Sequence, residues 1–363
     1  MNGLDFLLST DSLGGAELYT LELAQACADA VDVSIAGRAG SRLLVRAAEL
    51  GLETRGVELG PKLGRRTALE NALRFRSARR TLREEMGRSD RWTVLQFKWE
   101  ELLWGGEPAA DQVCLIEHGP IPPDLLRIPW ARQRLARAFS SAAVVCAVSD
   151  PAERSIAALC GRRPERLGAG IDAARLRRAH ERAVELRAPL AGSSSLLVAY
   201  AGRLTRQKGV HRIVDLVEAF PDVAAVLVGD GPERAALERR AAANEGVTVA
   251  GHVGDAWPYL AAADVAVLLS SEAGEGRPLV GLESLALGTP VVGLAATPAL
   301  QALAREFGSE RVVLVPEAEP AVVRAALART AKPTPAVELP TWDQVASEFL
   351  ALVVERGAER VPA

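Results

Sequence analysis

The stretch from Asp264 to Gly293, DVAVLLSSEAGEGRPLVGLESLALGTPVVG, constrains the fold more than any other part of the chain. An apolar strand (Val265 to Leu269) ends in a small, acidic, glycine-containing loop (Ser270 to Pro278). A helix follows to Leu287, and Gly288 to Pro290 return the chain to another strand. Strand, loop, helix and strand in that order are half of a doubly wound parallel-sheet unit. Ligands of such sheets sit in the crevice beyond the strands' C-terminal ends.

Glu275 lies in that loop and Glu283 follows with seven residues between them. At ~1.5 Å rise per residue, Glu283 is about one and a half turns into the helix, so the two carboxylates address points roughly 10 Å apart along one elongated ligand. A nucleotide sugar is such a ligand. The helix start at Gly276 to Leu279 offers backbone N–H groups and the positive end of the helix dipole to phosphate or sugar oxygens. Carboxylates in turn accept hydrogen bonds from hydroxyls. The alternative for Glu283 is a solvated helix residue, against which its apolar neighbours Leu279, Val280, Leu282, Leu285, Ala286 and Leu287 argue.

The segment EGRPLVGLESLALGTPVV resembles the signature of the retaining glycosyltransferases of family 4, built on the two-domain GT-B architecture. That resemblance implies that Glu275 contacts the donor sugar and Glu283 the ribose hydroxyls. Gly276, Arg277, Pro278 and Leu279 then line the donor sugar. Arg277 departs from the family, which usually has an apolar residue there. It is either a solvated loop arginine or a contact for an anionic donor or acceptor.

The length of 363 residues suggests two or so domains, and a net charge of −3 gives no electrostatic footprint for nucleic acid. Cys27, Cys114, Cys146 and Cys160 lie far apart, without the paired spacing of metal sites, and read as buried thiols of a reducing cytoplasm. The N-terminus MNGLDFLLSTDS reads as a first strand, not a signal peptide. No run approaches the ~20 apolar residues of a membrane span.

Along the first half, strands at Leu4 to Ser9, Val31 to Ala36 and Thr54 to Leu59 alternate with helices, the α/β pattern. The loop DSLGGAE after the first strand is not GxGxxG, which counts against a dehydrogenase. Its Gly14 and Gly15 let the backbone approach a ligand, and GGAE looks like the family loop that meets the diphosphate and acceptor. Lys62 to Arg91 carries ten Lys or Arg against four acids. This is either a solvated helix face or a peripheral contact with an anionic membrane or acceptor. Trp92, Phe97, Trp99 and Trp104 cluster next, as core or as a sugar platform. His118 follows the strand Val113 to Ile116, and the resemblance places it near the donor sugar; the plainer alternative is a capped loop histidine.

The second half opens with LLVAYAGRLTRQKGVHRIVDL. Arg203 and Lys208, five apart between a strand and a helix, form two cations able to clamp a departing diphosphate. The GRLxxxKG pattern is also the family's diphosphate motif. GDGPER (Gly229 to Arg234) matches as well, and the segment through His252 and Val253 resembles the one whose backbone meets the base. After Gly293 the family's glycine pair and glutamate are replaced by AATPALQAL.

These readings imply an α/β, GT-B protein of two Rossmann-like doubly wound domains facing a cleft. The expected boundaries are 1–172 for the acceptor domain, 173–194 for a helical linker with a flexible end, and 195–335 for the nucleotide-sugar domain. A C-terminal helix, 336–363, is expected to pack back across the domain boundary. The implied reaction moves a sugar from a nucleoside diphosphate sugar, UDP-sugar foremost, to an acceptor hydroxyl with retention. No cofactor is expected, and no metal either, since Asp-x-Asp occurs nowhere. The rivals are a GT-B epimerase or phosphorylase, and a non-catalytic nucleotide-sugar-binding protein. Only four lysines, none an obvious pyridoxal phosphate residue, weaken the phosphorylase.

Overall fold

The computed structural model describes residues 3–10, 13–58, 76–77, 79–81, 83–86, 91–96, 112–270, 276–330 and 334–359. The chain divides into two compact units, Met1–Gly170 with Pro340–Ala363, and Ile171–Leu339.

In the first unit, seven parallel strands are β1 (Leu4–Leu8), β2 (Val33–Arg38), β3 (Glu53–Val57), β4 (Trp92–Gln96), β5 (Val113–Glu117), β6 (Val144–Ala147) and β7 (Glu165–Arg166). Their spatial order is β3-β2-β1-β4-β5-β6-β7. In the second unit, six parallel strands are β8 (Leu196–Ala201), β9 (Val223–Val228), β10 (Val247–Gly251), β11 (Val265–Leu268), β12 (Val291–Leu294) and β13 (Val312–Val315), in the order β10-β9-β8-β11-β12-β13. Both sheets reverse direction at their first strand, between β1 and β4 and between β8 and β11. Those are the switch points at which doubly wound sheets hold ligands. The central strands VAAVLV and LLVAYA are almost wholly buried, because helices cover both faces of a parallel sheet.

The first unit carries α1 (Gly15–Ala28), α2 (Arg42–Glu49), α3 (Pro123–Leu126), α4 (Pro129–Ser141) and α5 (Asp150–Cys160). The second carries α6 (Ala173–Ala191), α7 (Val210–Ala219), α8 (Arg234–Ala241), α9 (Trp257–Ala262), α10 (Leu279–Ala286), α11 (Pro298–Phe307) and α12 (Pro320–Arg329). The terminal helix α13 (Trp342–Glu359) belongs to the first unit, where it packs on α1, with Phe349 against Phe6 at 6.4 Å between ring centroids. Among the described residues no helix is long and apolar enough to cross a membrane.

Several expectations change here. The segment 173–194, read as a helical linker, is helical as expected, and its helix α6 packs along α9 in the second unit. Asp172 caps it, accepting from the N–H groups of Ala174 and Arg175 at 2.8 and 2.9 Å. Arg175 stacks over the Trp257 ring at 4.0 Å and bonds Asp255, while Arg187 reaches buried Asp264 at 2.6 Å. Trp92 is not a ligand platform: it starts the central strand β4 and is 3% exposed. Phe97, Trp99 and Trp104 lie outside the described residues. So does most of 62–91, but its last residue, Arg91, is no solvated cation. It donates to the buried Asp5 carboxylate at 2.8 Å and to the carbonyls of Leu4 and Asp32.

Cys27, Cys114 and Cys146 are buried and Cys160 half-buried, all as free thiols. Burial pushes the Cys27 thiol up to about 12, so the reactive thiolate is scarce at neutral pH.

Candidate functional site

In the second unit, β8 ends at Ala201 and the chain turns outward at Gly202, whose φ of +145° suits glycine. Fully buried Leu204 pins the loop: its N–H donates to the Asp230 carbonyl at 2.9 Å and its carbonyl accepts from Glu233 at 3.0 Å. The Tyr200 hydroxyl braces the loop from within, donating to the Arg203 carbonyl at 2.9 Å. Arg203 is therefore held outward by its neighbours and is exposed. Thr205 caps a short 3₁₀ turn, Arg206–Lys208, accepting from the Lys208 N–H, and Lys208 is half-buried.

Gly209 ends that turn at φ +72°, so close to the Leu269 carbonyl that a Cβ would run into it. Gly229 approaches the Gly202 carbonyl in the same way. The ends of β9, β8 and β11 are thus laced together by backbone contact, which leaves the Arg203 and Lys208 side chains as the chemistry at this switch point. Val253, half-buried, follows β10 next to Gly251, whose carbonyl accepts from Gly229 N–H at 2.7 Å.

On the β11 side, residues 271–275 lie outside the described residues, so the expected role of Glu275 has no geometry here. Ser270 is buried, its carbonyl accepting from Thr297 Oγ1 at 2.9 Å. Gly276 is half-buried, and α10 begins at Leu279 with Pro278 as its N-cap. Because Pro278 has no N–H, the helix start offers fewer donors than its sequence position implied. Glu283 sits in the second turn of α10, half-buried between buried Leu282 and Ser284, and is not a fully solvated residue.

Arg277 fits neither simple expectation. Its side chain is 13% exposed, with Nη2 on the Glu306 carboxylate at 2.8 Å. It is neither a solvated cation nor one held ready for an anion without first leaving Glu306.

In the first unit, Gly14 is the N-cap of α1 and Gly15 its first residue. The Gly14 N–H donates to Glu17 Oε2 at 2.8 Å, and Glu17 is 6% exposed. His118 follows β5. Its N–H donates to Glu117 Oε1 at 3.0 Å and its carbonyl accepts from Ser149 Oγ, so the loop is fixed by buried polar groups. The His118 ring meets the edge of Tyr19 at 5.0 Å, and Tyr19 meets Trp342 of α13 at 5.1 Å. The Tyr19 hydroxyl donates to the Gly168 carbonyl at 2.6 Å.

Gly14, Gly15 and His118 are therefore brought together, through Glu17 and Tyr19, in the first unit. Arg203, Lys208, Val253, Gly276, Arg277, Pro278, Leu279 and Glu283 belong to the second. Glu17 and Tyr19 were not picked out from sequence. Glu17 had a signal: a Glu three residues after an N-cap is the back-bonding half of a capping box. The Tyr19 bond spans 149 residues and has no local signature.

Burial pushes the His118 imidazole down to about 4, with the Glu17 carboxylate pulling the other way. The ring is neutral at pH 7. Between pH 6.5 and about 4 the unfolded chain binds a proton here that the folded chain does not, so stability falls as pH drops through that window. The loss amounts to at most about 3 kcal/mol. Denaturant unfolding from pH 7 to 4.5 should show it, with a shallower pH dependence in His118→Asn. An unchanged slope would remove His118 as the titrating group.

Among the described residues no group of three or more His, Cys, Asp or Glu could hold a metal ion. Residues 195–332 match the family described as glycosyl transferases group 1. Over 158 residues the chain is 37% identical to TuaC of Bacillus subtilis (strain 168), a protein named as a teichuronic acid biosynthesis glycosyltransferase; the match covers 43% of this chain and 39% of that one. Over 182 residues it is 32% identical to a GDP-mannose-dependent alpha-(1-6)-phosphatidylinositol dimannoside mannosyltransferase of Mycobacterium tuberculosis, 47% of each chain. The chain spans less than half the length of the curated relatives it matches. The solved structure of Anabaena Alr3699/HepE with UDP and glucose superposes with a TM-score of 0.69 at 18% identity, over 99% of this chain and 100% of that one. This chain has the GT-B fold of two Rossmann-like domains, and its residues 195–332 match the glycosyl transferases group 1 family.

Proposed function

We propose that the protein is a retaining glycosyltransferase of family 4 that moves a hexosyl group from a nucleoside diphosphate sugar to an acceptor hydroxyl. The acceptor is a glycan, a glycolipid or a small molecule. The observation that carries the reading is the placement of Arg203 and Lys208 at the switch point of the second sheet, on a loop laced to the neighbouring strand ends. Charge develops on the departing diphosphate, and preorganised cations there stabilise it without reorganising during the reaction. In this reading no metal is required. Glu283 holds the ribose, Val253 meets the base by its backbone, and Glu275 with Gly276, Pro278 and Leu279 holds the sugar. His118, neutral at pH 7, donates or accepts a single hydrogen bond at the sugar, and Gly14 and Gly15 let the backbone approach the phosphates. Cytoplasmic location and membrane contact through 62–91 belong to the same proposal.

The names of the relatives point to two bases, since the Anabaena structure holds UDP and the mycobacterial relative is GDP-mannose-dependent. Thermal stabilisation by UDP, GDP, ADP and TDP, each at about 1 mM, decides between them. A ligand at ~100 times its dissociation constant adds ~2.7 kcal/mol to the native state. One diphosphate should raise the melting temperature of the wild type and not of Arg203→Ala. If none does, the donor-site reading fails and a non-catalytic scaffold takes its place. Retention is then read from the anomeric configuration of the product by NMR.

A further inference from the structure

We propose that α11 braces the sugar half of the donor site, with Thr297 and Glu306 as its positioning residues. The inference rests on the donor-site reading above and extends it to residues outside the expected motifs.

Each end of α11 departs from what the helix itself favours. Thr297 is its N-cap, yet the Thr297 side chain accepts no N–H from the first turn. A capping threonine normally does so, and forgoes helix stability when it does not. Its hydroxyl donates instead to the buried Ser270 carbonyl at 2.9 Å, just past the end of β11. At the other end, Glu306 is the last residue of α11 but one, where the carbonyl end of the helix dipole disfavours a carboxylate. Glu306 Oε1 accepts from Arg277 Nη2 at 2.8 Å. Local preferences set aside at both ends of one helix point to a role beyond that helix.

Both bonds land on the chain that leads into α10. Ser270 stands before the sugar-contacting residues, and Arg277 stands among them, between Gly276 and Pro278. A third tie lies in α10 itself: Gly281 packs on α11 so closely that a Cβ there would come within 2.9 Å of Leu303. Thr297 and Leu303 both belong to AATPALQAL, the stretch that stands in place of the family's glycine pair and glutamate. The departure from the family pattern thus coincides with side chains that hold the start of α10.

Arg277 fits the same plan. Its side chain is 13% exposed and its Nε is buried with no hydrogen-bond partner, so the guanidinium depends on Glu306. Without Glu306 this cation would lose its counter-charge and turn towards water, shifting the backbone of Gly276 and Pro278 with it. The diphosphate half depends on Arg203 and Lys208, on a loop held by Tyr200, Leu204 and Thr205. The two halves of the donor therefore have separate supports.

The test is calorimetric binding of the diphosphate that stabilises the wild type, and of its glucose, galactose, mannose and N-acetylglucosamine conjugates. For the conjugate that the wild type binds most tightly, Glu306→Leu and Thr297→Val should each weaken binding by about tenfold, the scale of one lost hydrogen bond to the sugar. Binding of the free diphosphate should not change. Glu306→Gln keeps an oxygen acceptor and Thr297→Ser keeps a hydroxyl, so both should bind as the wild type does. Equal weakening of conjugate and diphosphate would mark a general loss of structure and overturn the proposal. Full binding of the conjugate by Glu306→Leu and Thr297→Val overturns it as well. Ligand-free melts accompany each variant, and if the buried Thr297 site does not tolerate valine, the half-exposed Glu306 decides alone. A wild type that binds none of the diphosphates overturns the donor-site reading itself, and this inference with it.

Discussion

Arg203→Ala will lower kcat for the nucleotide sugar whose diphosphate stabilises the protein by about 10²–10³-fold, the typical cost of removing one preorganised group that stabilises developing charge. Its ligand-free melting temperature will stay at the wild-type value. The asymmetry follows from the loop: Leu204, Tyr200 and the backbone of Gly202 hold the turn, and the Arg203 side chain is exposed and contributes none of those bonds. Arg203→Lys keeps the charge but loses the planar fork, so it should fall between the two. Steady-state kinetics with thermal melts on the same preparations check this. Wild-type turnover in Arg203→Ala would separate the loop from the chemistry altogether.

Asp264→Ala will destabilise the second unit by about 3 kcal/mol, a fall of roughly 6–12 °C in melting temperature for a unit of this size. Asp264 is 6% exposed. One carboxylate oxygen accepts from the Leu197 N–H at 2.7 Å and the other from Arg187 at 2.6 Å. The truncation leaves a strand N–H at the start of β8 without its acceptor, and releases α6 from β11. Arg187 is 47% exposed and can rehydrate, which keeps the cost below that of breaking a fully buried pair. Asp264→Asn still offers an oxygen to Leu197 and should lose less. Equal melting of the Ala and Asn variants would show that the hydrogen bond to Leu197 contributes little.

The strand-to-helix boundary that carries Arg203 and Lys208 was legible because its pattern is local. Arg203 and Lys208 stand where a strand becomes a helix, and that boundary shows in the apolar run before Gly202 and the amphipathic pattern after Gly209. What was not legible had no local pattern. The helix α6 was read as helical, but its packing on α9 was not foreseen, because its buried face consists of Ala179 and Ala183, small residues four apart that allow close packing but give no large apolar stripe. The strand β4 was hidden by its own composition: WTVLQ begins with an aromatic and ends with an amide, and its burial comes from lying between β1 and β5. Tyr19 and Arg91 take their roles from partners far away in sequence, Gly168 and Asp5, which only the closed fold brings near.

The return of α13 to the first unit has a consequence for how the protein is made. The second unit is one continuous stretch of chain, whereas the first is interrupted by it and completed only by α13. As the polypeptide leaves the ribosome, α1 emerges early, yet Phe6 and Tyr19 must wait for Phe349 and Trp342, more than 300 residues further along the chain. The usual sequence of N-terminal domain first is thereby inverted. The later-synthesised unit is free to close while the earlier one is still open along a hydrophobic seam, and a ribosome stalled before residue 340 would present that seam to chaperones instead of a finished domain.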